Sequence, residues 1–414
     1  MREMKDSGVE WVGKIPQCWN TSKLKYLGQY INGYAFKPEE WGSKGVPIIR
    51  IQDLTGSNDN PNYFEGQIDK KYEVENGDIL ISWAATLDAF IWNKGNGWLN
   101  QHIFKAVPNR KIIDYDFFFW MIKESMKNMN NDNKHGIFMQ HVTLSVFNNF
   151  TIPMPPLAEQ HRIAAFLGRK CAEIDAVLEK TRASIEEYKK LKQTVITQAV
   201  TKGIRGDRPI KDSCVLWIGN CPQDWTVCRI KNVVFPQEKK VLPDDGIITC
   251  FRDGEVTLRR NRREDGFTVS FTEHGYHGVD KGDLVIHGMD AFAGAIGCSD
   301  SRGKTTPVVH VCKTGGNNRF FMYFLRSMAY GNILMDLSNG VRIRSSDFRN
   351  FARLGVFEVV VPPLTEQDEI VEYIDKAVLQ IDHLIQEKEN LLIEIENYKK
   401  SLIYEYVTGK KEVV

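Results

Sequence analysis

One plan is written twice in this chain, about 206 residues apart. Near the start the sequence reads Lys5-Asp6-Ser7, then Val9, Trp11, Gly13, Pro16-Gln17 and Trp19. Further on it reads Lys211-Asp212-Ser213, then Val215, Trp217, Gly219, Pro222-Gln223 and Trp225. A second pair recurs at nearly the same offset: Pro155-Pro156-Leu157-Ala158-Glu159-Gln160 and Pro362-Pro363-Leu364-Thr365-Glu366-Gln367. Each copy runs from a short lead-in through a large variable block to a long helical stretch. A repeat of this size is a gene-scale duplication and not a solenoid array. Duplicated halves pack naturally about a pseudo-twofold axis, so an elongated, roughly twofold partner is expected.

The 414 residues, 42% hydrophobic and 26% charged, are ample for several soluble domains. No apolar run is long enough to span a membrane, and Met1-Arg2-Glu3-Met4-Lys5-Asp6 lacks the apolar core of a signal peptide. The eight cysteines include no C-x-x-C pair, and Cys214, Cys221 and Cys228 recur at a seven-residue spacing that suits no common zinc site. Reduced thiols in a cytoplasmic protein are the expectation. A net charge of +1 argues against a general polyanion binder but permits a basic cleft offset by acidic helices.

From Leu157 to about Lys202 only Gly168 interrupts a helical pattern. After Leu167 the seam residues Cys171, Ile174, Leu178, Thr181, Ile185 and Tyr188 follow in alternating steps of four and three, a heptad repeat. The second copy runs through Ile370, Ile374, Ala377, Ile381, Ile385, Lys388, Leu392, Ile395, Tyr398 and Leu402. Each helix would be roughly 60–70 Å long, and their apolar stripes are expected to pair antiparallel. Thr181 and Lys388 occupy matched seam positions. Either they penalise slipped registers or Lys388 simply snorkels.

Each variable block has about 130 residues and mixes β-formers with one aromatic-rich helical stretch. Strands are expected at 46–51, 78–83, 246–251 and 283–287, and helices at 114–126 and 318–328. The blocks share a scaffold but few surface residues, which suggests two different recognised objects. Arg259, Arg260, Arg262 and Arg263 place four arginines in five positions, suited to phosphate contact or guanine readout. The alternative is a solvated hairpin tip balanced by Glu264 and Asp265. Arg50, Gln52, Arg252, Arg342 and Arg344 are further candidates, as are the amide–imidazole pairs Gln101-His102 and Gln140-His141.

Catalytic motifs fail on inspection. Gly297 to Thr305 has five residues between the glycines where a P-loop has four, and it leads into a strand-like segment. Asn60-Pro61-Asn62-Tyr63 follows a polar turn with no glycine-rich nucleotide loop before it. His274-Gly275-Tyr276-His277 lacks the glutamate and helical spacing of a zincin. The pattern is that of a binder and positioner.

The duplicated Trp-x-Gly with Pro-x-x-Trp, and the duplicated Pro-Pro-Leu-x-Glu-Gln before a long helix, resemble the specificity subunits of type I restriction-modification enzymes over essentially the whole chain. The second copy departs, with Asp368-Glu369-Ile370-Val371 where the first has His161-Arg162-Ile163-Ala164. The resemblance implies an α+β protein of two mixed target-recognition domains joined by two long antiparallel helices with internal pseudo-twofold symmetry. The implied divisions are 1–154, 155–206, 207–361 and 362–414. It implies a non-catalytic subunit of a deoxyribonuclease and adenine-methyltransferase complex, each block reading half of an asymmetric bipartite DNA target. Its partners would be double-stranded DNA, two methyltransferase subunits and restriction/translocase subunits, with AdoMet, ATP and Mg2+ held by those subunits. The rival classes are a catalytic restriction or methylation polypeptide, a specificity subunit of a standalone methyltransferase system, and a duplicated coiled-coil scaffold for proteins.

Overall fold

A computed structural model describes residues 2–58, 60–131, 142–263, 274–335 and 348–413. The chain forms two compact units, Met1–Thr181 with Leu391–Val414, and Arg182–Asn390. Both long helices form as their heptads require, Leu157–Lys202 and Leu364–Val407, and each contributes one part to each unit.

In the first unit a lead-in hairpin pairs Met4–Asp6 with Lys14–Pro16. Strand Asn20–Lys23 then pairs with Thr151–Met154, which closes the variable block at its base. Inside the block, strands Gly28–Asn32, Ile103–Pro108, Ile79–Ser82 and Asp88–Ile91 lie side by side in that order. A second sheet orders Tyr63–Phe64, Val46–Ile49, Gly97–Leu99 and Glu73–Val74.

The period-2 geometry of a strand explains how the block builds two cores. Ile79 and Ile81 face the core shared with helix Tyr115–Asn131 and the long helices, alongside Phe117, Phe118 and Leu167. Leu80, between them, faces the other way into Ile49, Val74, Leu99 and Ile103.

The second unit repeats this design. Its lead-in hairpin is Ile210–Asp212 with Asn220–Pro222, and Thr226–Arg229 pairs with Glu358–Val361. The four-stranded sheet Val234–Pro236, Val309–Thr314, Leu284–His287, Ile296–Cys298 has the same order and pairing sense as its counterpart. Leu284 and Ile286 face helix Asn318–Tyr330, while Val285 faces a smaller core with Ile248, Val256 and Val311. The hairpin Ile248–Cys250/Val256–Leu258 and the antiparallel pair His277–Val279/Gly303–Thr305 replace the first unit's second sheet.

Within each unit the helix segments run antiparallel. Asp175 pairs with Lys399 at 2.6 Å and Phe166 packs on Tyr406 in the first. In the second, Lys192 pairs with Asp382 at 2.7 Å and Lys388 lies over the Tyr188 ring. Residue numbers thus rise on one helix as they fall on the other. Both helices stop in the same way: Gly203 and Gly409 take left-handed backbone, at φ +78° and +73°. A lysine beside each stop reaches the adjacent lead-in, Lys202 to the carbonyls of Ile218 and Asn220, Lys410 to those of Val12 and Lys14.

The polar seam positions are satisfied locally. Thr181 Oγ1–H donates to the Val177 carbonyl at 2.8 Å, and the half-buried Lys388 takes its aromatic partner on the opposing helix. Three expected strands end early, at Ile49, Ser82 and Cys250. The segment beginning at Val46 turns helical at Ile51, because the Asp53 carboxylate accepts the Arg50 backbone N–H at 2.8 Å. All eight cysteines are free thiols.

Candidate nucleic-acid interface

The repeated Pro-Pro-Leu-x-Glu-Gln motif is a junction. Glu159 accepts the Trp19 indole N–H at 2.8 Å and the Arg2 guanidinium at 2.5 Å. Glu366 accepts the Trp225 indole N–H at 3.1 Å and two donations from Arg208, whose other contact is Asp224. Both guanidinium groups stand over the tryptophan rings they share a carboxylate with.

The neighbouring glutamines act alike. Gln160 accepts the Asp114 backbone N–H at 2.7 Å and donates to the Pro155 carbonyl. Gln367 accepts the Asn317 N–H at 2.9 Å and donates to the Pro362 carbonyl. Asp114 and Asn317 cap the two block helices, their side chains accepting helix N–H groups. Each junction therefore ties the lead-in, the start of the block helix and the start of the long helix into one polar node. Arg2 and Arg208 went unread in the sequence, although their 206-residue offset carries the signal.

In the second block the arginine run is not a hairpin tip. The tip is Phe251–Glu255, closed by Gly254 at φ +89°, and Arg259–Arg262 follows the second strand as one helical turn. The reason is steric and electrostatic: a side chain at Gly254 would collide with Arg326, and Arg262 folds back over Phe251, 4.1 Å from its ring, onto Asp253 and Glu255 at 2.7 Å each.

These elements enclose a cleft of about 740 Å³ whose lining includes Arg252, Arg259, Arg262, Arg263, His287 and Asp290. Arg259 Nε–H donates to Thr249 Oγ1 at 3.3 Å, and Arg260 is exposed. Arg252 Nη2–H donates to Asp290 Oδ1 at 2.8 Å. Burial holds the His287 imidazole below its usual range, partly offset by Asp290. Burial also pushes the Cys250 thiol in the cleft wall up to about 12, far from a thiolate nucleophile at neutral pH.

In the first block the parallel pairing of Val46–Ile49 with Gly97–Leu99 brings Arg50 and Gln101 to the same strand ends. Arg50 stacks on Trp41 with its guanidinium 4.9 Å from the ring centre, and Gln52 is exposed on the short helix Ile51–Thr55. Gln101 donates its backbone N–H to Tyr34. His102, at φ +76°, packs edge-on against Trp83. Gln140, His141, Arg342 and Arg344 lie outside the described residues.

The motifs set aside on sequence grounds find structural places. Gly297 and Gly303–Thr305 lie in β-strands, and His277 Nε2 bonds the Val309 carbonyl. Among the described residues no cluster of His, Cys, Asp or Glu could hold a metal ion, and no helix is long and apolar enough to cross a membrane.

Two α+β blocks carried on long helices define the fold class, and comparison with known proteins shows what the chain resembles. Residues 16–187 match the family profile described as type I restriction modification DNA specificity domain. The EcoBI specificity subunit of Escherichia coli is 23% identical over 99% of this chain and 90% of its own length. The MjaVIII specificity subunit of Methanocaldococcus jannaschii is 26% identical over 97% and 94%. A solved chain from work on complex assembly and conformational transition of the type I R-M system shares the fold, with a TM-score of 0.70 at 16% identity, covering 96% of this chain and 99% of that one. Over nearly its whole length the chain is similar to specificity subunits of type I restriction-modification systems.

Proposed function

We propose that each variable block reads one half of an asymmetric, bipartite DNA target, and that the long helices set the gap and dock methyltransferase subunits. The observation that carries this reading is the pair of blocks with one sheet order and unlike surfaces. The same four-stranded scaffold recurs, yet the second block adds an arginine-lined cleft where the first has a four-stranded sheet ending in Arg50 and Gln101. A shared scaffold with divergent surfaces suits two different half-sites. Arginine donors in a cleft suit base edges and phosphates.

In this reading the chain carries no chemistry of its own. AdoMet, ATP and Mg2+ belong to methyltransferase and translocase partners, and cleavage and methylation follow from where this subunit places them. Replacing Tyr30–Phe150 with the matching block of a relative is expected to change one half of the methylated motif and leave the other intact, read by genome-wide adenine-methylation mapping. A change in both halves would overturn the modular reading, and an unchanged motif would move recognition away from the blocks altogether.

A further inference from the structure

Not every arginine in the second block's cleft is equivalent. Arg262 is held by two carboxylates and an aromatic face, so its charge is consumed within the protein. Arg252 is built differently. It sits at the hairpin tip with its side chain 68% exposed and, among the described residues, makes one ion pair, Nη2 to Asp290 Oδ1. One Nη2 hydrogen is thereby used, and among the described residues no hydrogen bond engages the other donors of the guanidinium fork.

The brace is itself fixed. The Asp290 backbone N–H donates to His287 Nδ1 at 3.1 Å, and Asp290 precedes the short turn Ala291–Ala293. The Arg252 carbonyl packs so closely on Gly294, at φ +93°, that a Cβ there would lie 2.7 Å from it. Both ends of the Arg252–Asp290 pair are thus positioned by backbone. An arginine whose rotamer is already restrained loses less entropy on binding, and its planar fork matches two acceptors on one edge.

We infer that Arg252, braced by Asp290, reads a guanine edge in the half-site of the second block, through the O6 and N7 acceptors of the major groove. This rests on the bipartite reading above and names the residue within it. Arg262 is a strut of the cleft and not a reader.

The test uses the full-length chain assembled with its methyltransferase subunits, and duplexes carrying the mapped target or single base-pair changes in it. Arg252→Ala and Arg252→Lys are each expected to lower discrimination at one G·C pair of one half-site by about 10-fold or more, and Asp290→Asn to weaken it at the same pair. The other half-site stays as selective as before. Arg262→Ala is expected to lower thermal stability while base preference is retained.

Discrimination kept at every position in Arg252→Ala would overturn the inference while leaving the bipartite reading standing. So would an equal loss on all sequences with a shallower salt dependence, the mark of a phosphate contact. Failure of the block exchange to move either half-site is the separate result that would remove the bipartite reading itself.

Discussion

Glu366 is 1% exposed, and Trp225 and both Nη groups of Arg208 donate to its carboxylate oxygens. Removing that carboxylate leaves a buried indole N–H without an acceptor and reduces Arg208 to its exposed partner Asp224. Glu366→Ala is therefore expected to destabilise the chain by roughly 2–4 kcal/mol, and Glu366→Gln by less, because an amide oxygen still accepts. Urea denaturation of the full-length chain measures both, and a loss below about 0.5 kcal/mol would show that the junction is only a surface ion pair. A second residue-scale prediction concerns His287 and His310. Burial is the largest influence on each and lowers its pKa below 6.5; Asp290 raises and Arg252 lowers that of His287, while the Phe348 carbonyl holds His310 Nε2. The unfolded state then binds more protons than the folded one below about pH 6.5, so this contribution to stability is full above that pH and is lost as pH falls. Hydrogen exchange in strands Leu284–His287 and Val309–Thr314 should quicken between pH 7 and pH 5.5, and the double variant His287→Gln, His310→Gln should flatten the change. Equal protection at both pH values in the parent chain would contradict the assignment.

Among the elements, legibility followed the reach of the signal. The long helices were readable because a heptad seam is local and repeats many times; Leu167, Cys171, Leu178, Thr181 and Ile185 are all buried as the pattern requires. The strands Ile79–Ser82 and Leu284–His287 were readable as continuous apolar runs, since each is covered on both faces. The alternative placing of the arginine run at a hairpin tip fails for a reason no periodicity contains. Where the hairpin turns depends on Gly254 meeting Arg326 and on Arg262 meeting Asp253, contacts between segments that only the fold brings together. The same limit hid the partners of Glu159 and Glu366. The motif was visible twice, but its purpose needs Arg2 and Trp19 to arrive from about 140 or more residues away. Candidate base contacts were legible as residue types only. Arg252 and Arg262 look alike in sequence and differ in the carboxylates that surround them.

At the scale of the molecule, the two long helices are the only described elements that run across the division between the two units. Leu157–Lys202 runs unbroken past the division at Thr181, and Leu364–Val407 past the division at Asn390. If the blocks read two half-sites, the length of helix between them is a mechanical constant of recognition, independent of the side chains that touch bases. Four residues inserted within Ala176–Glu187 add roughly 6 Å of helix and turn its downstream part by about 40° beyond a full turn. The heptad seam absorbs such an insertion as a stutter, which locally unwinds a coiled coil without breaking it. Both junction nodes lie outside the inserted segment, so Glu159 and Glu366 keep their partners and each block keeps its orientation on its own helix end. The expected outcome is a longer preferred gap between two unchanged half-site sequences, read by mapping methylated adenines in cells carrying the insertion. Retention of the original gap would mean that the helices serve partner docking alone and that the DNA spacing is set elsewhere in the assembled complex.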